Sequence, residues 1–163
     1  MRQVLLVFLI FVASPLFAEK PTDIQINVTG MFDANIILSG TFTASGVLDE
    51  MGSFVDSPRY TGNAVHVSRL LTTLHGEYIT LEMNFTHVAG PNAVPPDWCP
   101  PPPTPDGTLL FFQEGSWKVV SGTGPYALLK GNGSRAGWAL LDSTSFVPVA
   151  AKECLKGTMK NEL

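Results

Sequence analysis

The fold is decided by residues 65–88, VHVSRLLTTLHGEYITLEMNFTHV, in which two runs of alternating apolar and polar residues flank His75-Gly76. Such runs are rich in the β-branched and aromatic residues that favour strands. A glycine in the short break between them is typical of a β-hairpin. With a two-residue turn at His75-Gly76, Leu70 pairs with Leu81, and this register fixes the face on which every other side chain lies.

The predicted register separates the hairpin into an apolar face and a polar face. The apolar face carries Leu70, Leu74, Ile79, Leu81, Met83 and Phe85. On the polar face Arg69 lies opposite Glu82, which predicts a surface ion pair of small energetic value.

The same register places His66 and His87 on the apolar face, as diagonal neighbours near one end of the hairpin. An inward pair of imidazoles could bind a carbonyl or carboxylate group of a ligand, or move a proton. The alternative is two partly exposed histidines at a strand end, each hydrogen-bonded locally. The residues that the sequence nominates for ligand binding are His66, His87, Met83, Phe85 and Leu81.

The rest of the chain repeats the two-residue period between glycine-rich breaks. Ile24, Ile26 and Val28 alternate with polar residues, and the runs are too short for helices of ordinary length. The chain is therefore predicted to be all-β. A closed antiparallel barrel and a β-sandwich both remain open, because either limits the number of exposed strand edges.

The first eighteen residues have the three parts of an export signal. Arg2 gives a positive start, residues 4–12 are apolar, and a cleavage point follows Ala18. The apolar run is shorter than a membrane span, although an uncleaved anchor is the alternative. We therefore expect residues 19–163 to form a single mature domain that is soluble and does not associate with a membrane after signal cleavage.

Two cysteines and a run of prolines stand out in the second half of the chain. An even pair in an exported protein predicts a disulfide between Cys99 and Cys154. Residues 91–105 hold eight of the 13 prolines and cannot donate ladder hydrogen bonds. This insertion is predicted to be a stiff surface loop tethered by Cys99, with a docking segment for an aromatic-lined groove as the alternative.

Charge and motifs exclude several functions. The formal net charge is −4 and becomes one unit more negative without Arg2, which argues against nucleic acid or an anionic membrane as partner. No His-Glu-x-x-His or paired Cys-x-x-Cys motif is present, so neither a metal nor another cofactor is expected. The glycine-rich residues 121–134 lack both the dinucleotide fingerprint and the Walker lysine, so these glycines are predicted to make turns or bulges between two strands.

This glycine-rich stretch carries a resemblance. Residues 116–134, SWKVVSGTGPYALLKGNGS, resemble the strand, Gly-Thr-Gly, aromatic, Gly-x-Gly signature of the dirigent and allene oxide cyclase-like β-barrels, and especially of their small exported bacterial relatives. The likeness is good over residues 108–141. It implies an eight-stranded antiparallel barrel whose lumen suits apolar small molecules, and a trimer in the plant members. Those members steer the coupling of phenoxy radicals or isomerise a fatty-acid epoxide. The matching glycines are structural, so the resemblance assigns no catalytic residue.

Three functions follow as expectations. The first is an exported, non-catalytic barrel that binds a small apolar or amphipathic molecule, as a homo-oligomer if the resemblance extends that far. The second is an isomerase or cyclase that uses the lumen, with His66 and His87 as acid and base. The third is a structural or host-interaction protein whose lumen is filled by side chains. Periplasm or external medium is favoured over the endoplasmic reticulum, although the chain ends in KNEL, near a retention signal, and contains three N-glycosylation sequons.

Overall fold

The computed structural model describes residues 20–61, 64–89 and 94–162, and the predicted export signal lies outside them. These residues form eight strands joined by turns and loops. The strands are β1 (Thr22–Phe32), β2 (Leu38–Gly46), β3 (Glu50–Thr61), β4 (Ala64–Thr73), β5 (Tyr78–Ala89), β6 (Thr108–Gly122), β7 (Leu129–Asp142) and β8 (Pro148–Asn161).

The eight strands close into an antiparallel barrel. Each strand pairs with the next one along the chain, and β8 pairs with β1 to complete the ring. The predictions of an all-β chain and of a closed barrel are confirmed, and the chain does not form the alternative β-sandwich. In the described part of the chain, no helix has the length and apolar character that crossing a membrane requires.

The two-residue period places one side of every strand in the lumen. In β1 the apolar residues Ile24, Ile26 and Val28 are buried, and Ile26 faces Ala44 of β2. Glycine is required where adjacent strands approach closely. A Cβ atom on Gly40, for example, would lie 2.2 Å from the carbonyl oxygen of Thr29.

The glycine-rich stretch turns the chain, as predicted. Strand β6 ends at Gly122, one turn of 3₁₀ helix covers Gly124–Tyr126, and β7 begins at Leu129. Gly124 has a φ of 55°, a left-handed conformation that glycine adopts without strain. The sequence pattern predicted that the next strand begins at Arg135, and β7 begins six residues earlier, at Leu129.

The predicted register of the β4–β5 hairpin is wrong by one residue. The observed pairs are Arg69 with Leu81 and His66 with Asn84. The backbone N–H of Thr73 donates to the carbonyl oxygen of Glu77, so the loop between them has three residues. The last of these is Gly76, which has a φ of 88°. This is the three-residue hairpin that ends in a left-handed glycine, and it shifts β4 by one position relative to a two-residue turn.

The one-residue shift exchanges the two faces of β4. Arg69 lies in the lumen between Val67 and Leu71, whereas Leu70 and Leu74 lie on the outer face. The predicted surface pair of Arg69 with Glu82 is therefore wrong. Glu82 remains outside, where it pairs with Lys118 at 2.7 Å.

The Pro-rich segment joins β5 to β6, and its described part covers the outer face of β6, β7 and β8. A second apolar cluster lies beneath it and consists of Cys99, Phe112, Ala136, Trp138 and Cys154, with Trp98 and Leu110 packed against it.

Specific bonds fix this segment, which we call the strap (residues 94–107). The predicted disulfide between Cys99 and Cys154 is present, with a Cα–Cα distance of 5.6 Å. The Trp138 indole N–H donates to the carbonyl oxygen of Cys99 at 3.1 Å, and the Lys152 ammonium donates to that of Pro100 at 2.9 Å. The strap is thus a surface element tethered at Cys99, as the sequence predicted.

Candidate functional site

A layer of buried charge crosses the middle of the lumen. Asp56, Arg69, Arg135 and Glu153 project inward from β3, β4, β7 and β8, and each is at most 6 % exposed. Their inward positions follow from the strand period, because each alternates with buried apolar or glycine residues on its own strand. Charged side chains are rarely buried this completely unless they are paired.

The four side chains and Gln113 form one continuous chain of contacts. The Arg69 guanidinium donates two hydrogen bonds to Asp56, at 2.6 and 2.7 Å. Its Nη1 also lies 2.7 Å from Glu153 Oε2. Arg135 donates to both oxygens of Glu153 and, at 3.3 Å, to the side-chain oxygen of Gln113. Two formal positive charges therefore meet two negative charges, and the layer has no net charge.

Aromatic rings and one glycine complete the surroundings of the guanidiniums. Arg69 lies over the ring of Phe54 at 4.5 Å, and Arg135 lies over the ring of Phe85 at 3.9 Å. Such cation–π contacts stabilise a desolvated guanidinium. A Cβ atom on Gly137 would come within 3.0 Å of Glu153 and 3.1 Å of Arg135. Glycine at this position therefore leaves space for the ion pair.

Burial and pairing shift the two carboxyl groups in opposite directions. Burial raises the pKa of Glu153, but Arg135 and Arg69 outweigh it and lower that pKa to about 2. Burial also raises the pKa of Asp56, and the hydrogen bonds and charge of Arg69 only partly oppose this effect. Of these two carboxyl groups, Asp56 therefore takes up a proton at the higher pH.

The charged layer divides the lumen into two unlike halves. On β3, β4 and β8, the next inward residues toward one end are Phe54, Leu71 and Leu155, which are at most 3 % exposed and do not line the cavity. Toward the other end the next inward residues, Pro58, Val67 and Ala151, line a cavity of about 320 Å³. One half is filled by side chains and the other half is not.

The walls of the cavity are apolar and its floor is polar. Its lining residues are Phe32, Ile36, Leu38, Asp56, Pro58, Val65, Val67, Phe85, Phe111, Gln113, Ala139, Leu141, Pro148, Ala151 and Glu153. Among them only Asp56, Gln113 and Glu153 carry polar side chains, and all three belong to the charged layer. Ligand pockets commonly combine such walls with a few convergent polar groups.

The cavity reaches the surface at the end of the barrel that carries the β1–β2 and β7–β8 loops. Ile36, in the first of these loops, lines the cavity and is 46 % exposed. Ile36 and Phe146, in the second loop, have positive φ angles of 61° and 58°. This conformation is strained for a β-branched or bulky residue, and such strain concentrates at ligand-binding segments.

The predicted site residues lie in different parts of the barrel. Phe85 lines the cavity, whereas Leu81 and Met83 are fully buried in the apolar core and do not line it. His66 is not on the lumen face, because the register shift turns it outward, and there its Nδ1 contacts the amide oxygen of Asn84. The backbone of His87 pairs with Glu114, but its side chain lies outside the described residues.

None of the four charged residues of the layer was predicted to lie in the lumen. The available signal was the turn: a three-residue turn at residues 74–76 pairs Arg69 with Leu81 and so places Arg69 on the apolar, inward face of the hairpin. The same alternation in β3 places Asp56 beside Phe54. In the described part of the chain, no three His, Cys, Asp or Glu side chains are grouped so that they could hold a metal ion.

The fold and the site together define a closed antiparallel barrel with a half-filled lumen, a neutral ionic layer and an apolar cavity above it. No known family model, curated protein or solved structure matches the chain.

Proposed function

We propose that the protein binds a small apolar or amphipathic molecule in the cavity above the charged layer. The observation that carries the proposal is the unfilled half of the lumen, about 320 Å³ with twelve apolar lining residues of fifteen. Packed interiors contain few voids larger than a water molecule, so a space of this size at the end of an otherwise filled barrel favours a bound ligand.

We further propose a relationship to the dirigent and allene oxide cyclase-like barrels. The resembling segment, residues 108–141, spans β6, the 3₁₀ turn and nearly all of β7, which is the strand–turn–strand order that the resemblance implies. The number of strands also agrees with it. An assembly of several copies, as in the plant members, is part of this proposal.

Export is also proposed, into the periplasm or the medium. The Cys99–Cys154 disulfide supports it, because structural disulfides persist mainly in oxidising compartments. The leader composition of residues 1–18 points the same way.

Native mass spectrometry of the protein purified from its own source, without detergent, tests the binding proposal. We expect a mass above that of the mature polypeptide, which organic extraction removes. Polypeptide mass alone, together with failure of the extracted protein to take up a neutral apolar dye, would count against it.

A second candidate, an isomerase or cyclase, is favoured by one observation. Asp56 lines the cavity and has a raised pKa, so this carboxyl group could exchange a proton with a bound molecule. It takes the place of His66, which lies outside the lumen. Incubating the extracted ligand with fresh protein and analysing it chemically distinguishes the two candidates, because a binder returns the ligand unchanged.

A further inference from the structure

The floor of the cavity restricts the kind of head group that a ligand can present. We infer that the ligand carries a neutral hydroxyl group, which contacts Asp56 and Gln113, and that charged head groups are disfavoured. This inference rests on the proposed binding function and names the ligand class for the same cavity.

The charge balance of the layer disfavours a charged head group. Its two guanidiniums and two carboxylates already compensate one another, as the contacts of Arg69 and Arg135 show. Neither guanidinium lines the cavity, whereas Asp56 and Glu153 both do. A ligand carboxylate would therefore meet carboxylate oxygens first, and a ligand ammonium would leave one buried positive charge uncompensated.

The floor of the cavity offers both hydrogen-bond acceptors and a donor. Each oxygen of Asp56 accepts one hydrogen bond from Arg69, which leaves acceptor capacity on both. The Gln113 oxygen accepts from Arg135, and its amide nitrogen has no hydrogen-bond partner among the described residues. A hydroxyl group both donates and accepts, so it can pair with Asp56 and with the Gln113 amide at the same time.

The size of the cavity and the chemistry of its walls limit the rest of the ligand. At about 30 Å³ per molecule in liquid water, the cavity of about 320 Å³ takes on the order of ten non-hydrogen atoms. Its walls above the floor, such as Phe32, Phe111 and Leu141, are apolar. A medium-chain or monocyclic alcohol meets both conditions.

Competition against a neutral ten-carbon dye, the fluorophore naphthalene, tests the inference at pH 7 with octan-1-ol, octanoate and octylammonium. We expect octan-1-ol to displace the dye at a concentration at least tenfold lower than either charged compound. Equal or tighter binding of octanoate or octylammonium would overturn the inference while leaving the binding function intact. Absence of dye uptake would instead contradict the binding function, and the inference with it.

Two variants locate the head group. Gln113→Leu should weaken the binding of octan-1-ol at least fivefold while the affinity for the dye is retained. Unchanged or tighter binding of octan-1-ol would mean that the head group does not reach the floor. Gln25→Leu, the same change on the outer face of β1, is the matched control.

Asp56→Asn removes one negative charge from the floor and should shrink the preference for octan-1-ol over octanoate at least tenfold. An unchanged preference in folded Asp56→Asn would overturn the charge argument. If this variant does not fold, the probe series on the wild-type protein and Gln113→Leu still decide the matter.

Discussion

At the scale of single residues, two ion pairs of the same length occupy opposite environments. The Arg69–Glu153 pair and the Lys118–Glu82 pair both have a nitrogen–oxygen distance of 2.7 Å. The first is buried in the lumen and the second is on the outer face, with side chains 60 % and 41 % exposed. The chain therefore offers a direct comparison of what burial does to an ion pair.

Glu153→Gln should lower the free energy of unfolding by roughly 3 to 5 kcal/mol, because it leaves two buried guanidiniums with a single carboxylate. The matched substitution Glu82→Gln should change it by less than about 1 kcal/mol, since that pair is solvated. Urea unfolding followed by circular dichroism measures both. Similar losses in the two variants would mean that the buried layer contributes no more than a surface pair.

The same carboxylate predicts how stability depends on pH. The pKa of Glu153 is lowered to about 2, so its ionisation stabilises the folded state above the unfolded pKa near 4.5, and this stabilisation is lost as pH falls toward 2. The raised pKa of Asp56 acts in the opposite direction.

Between pH 6 and pH 3, the difference in unfolding free energy between wild type and Glu153→Gln should narrow by roughly 2 kcal/mol. Urea titrations at several pH values give this difference. A difference that stays constant over the range would refute the ion-pair origin of the lowered pKa.

At the scale of elements, the strap is held to the barrel by one covalent bond and a small apolar cluster. The disulfide joins residues 55 positions apart. Chain-entropy reasoning gives such a crosslink about 4 kcal/mol of stabilisation through the unfolded state. Trp98 of the strap packs against the apolar cluster that contains Trp138, so both indoles report on the position of the strap.

Replacing Cys99 and Cys154 together by Ala should cost about 4 kcal/mol of unfolding free energy and lower the urea midpoint. Tryptophan fluorescence follows the strap, and far-ultraviolet circular dichroism follows the barrel. The expected result is a barrel that still folds, with tryptophan emission shifted to longer wavelength. An unshifted emission would indicate that the apolar cluster alone holds the strap.

The β4–β5 hairpin marks how far sequence reasoning reaches at this scale. The period of two identified the strands and the inward side of β5 correctly, because each inward residue from Ile79 to Phe85 is apolar. The period of two failed in β4, because Leu70 and Leu71 are adjacent and apolar, and either of them could point inward. Only the length of the turn decides between these two registers. A charged residue in the lumen also contradicts the usual pattern, so apolar segregation selected the wrong alternative.

At the scale of the whole molecule, the barrel could be predicted and the division of its lumen could not. Alternation and glycine breaks are local signals, and they were sufficient for an all-β chain that forms either a barrel or a sandwich. The ionic layer combines a pair from neighbouring strands β3 and β4 with residues of β6, β7 and β8, and the contact of Arg69 with Glu153 that joins them forms only after closure. No short window of sequence contains that information, and the cavity above the layer depends on it.

The central claim, that the unfilled half of the lumen is a binding site, is tested most directly by two neighbouring alanines of β8. Ala151 lines the cavity, and Ala150 lies on the outer face beside it. Titration with the ten-carbon dye naphthalene should give one saturable site in the wild-type protein and in Ala150→Phe. In Ala151→Phe, whose ring occupies the cavity, we predict at least tenfold weaker binding with unchanged circular dichroism. Equal affinity in the two variants would place the dye elsewhere and contradict the account.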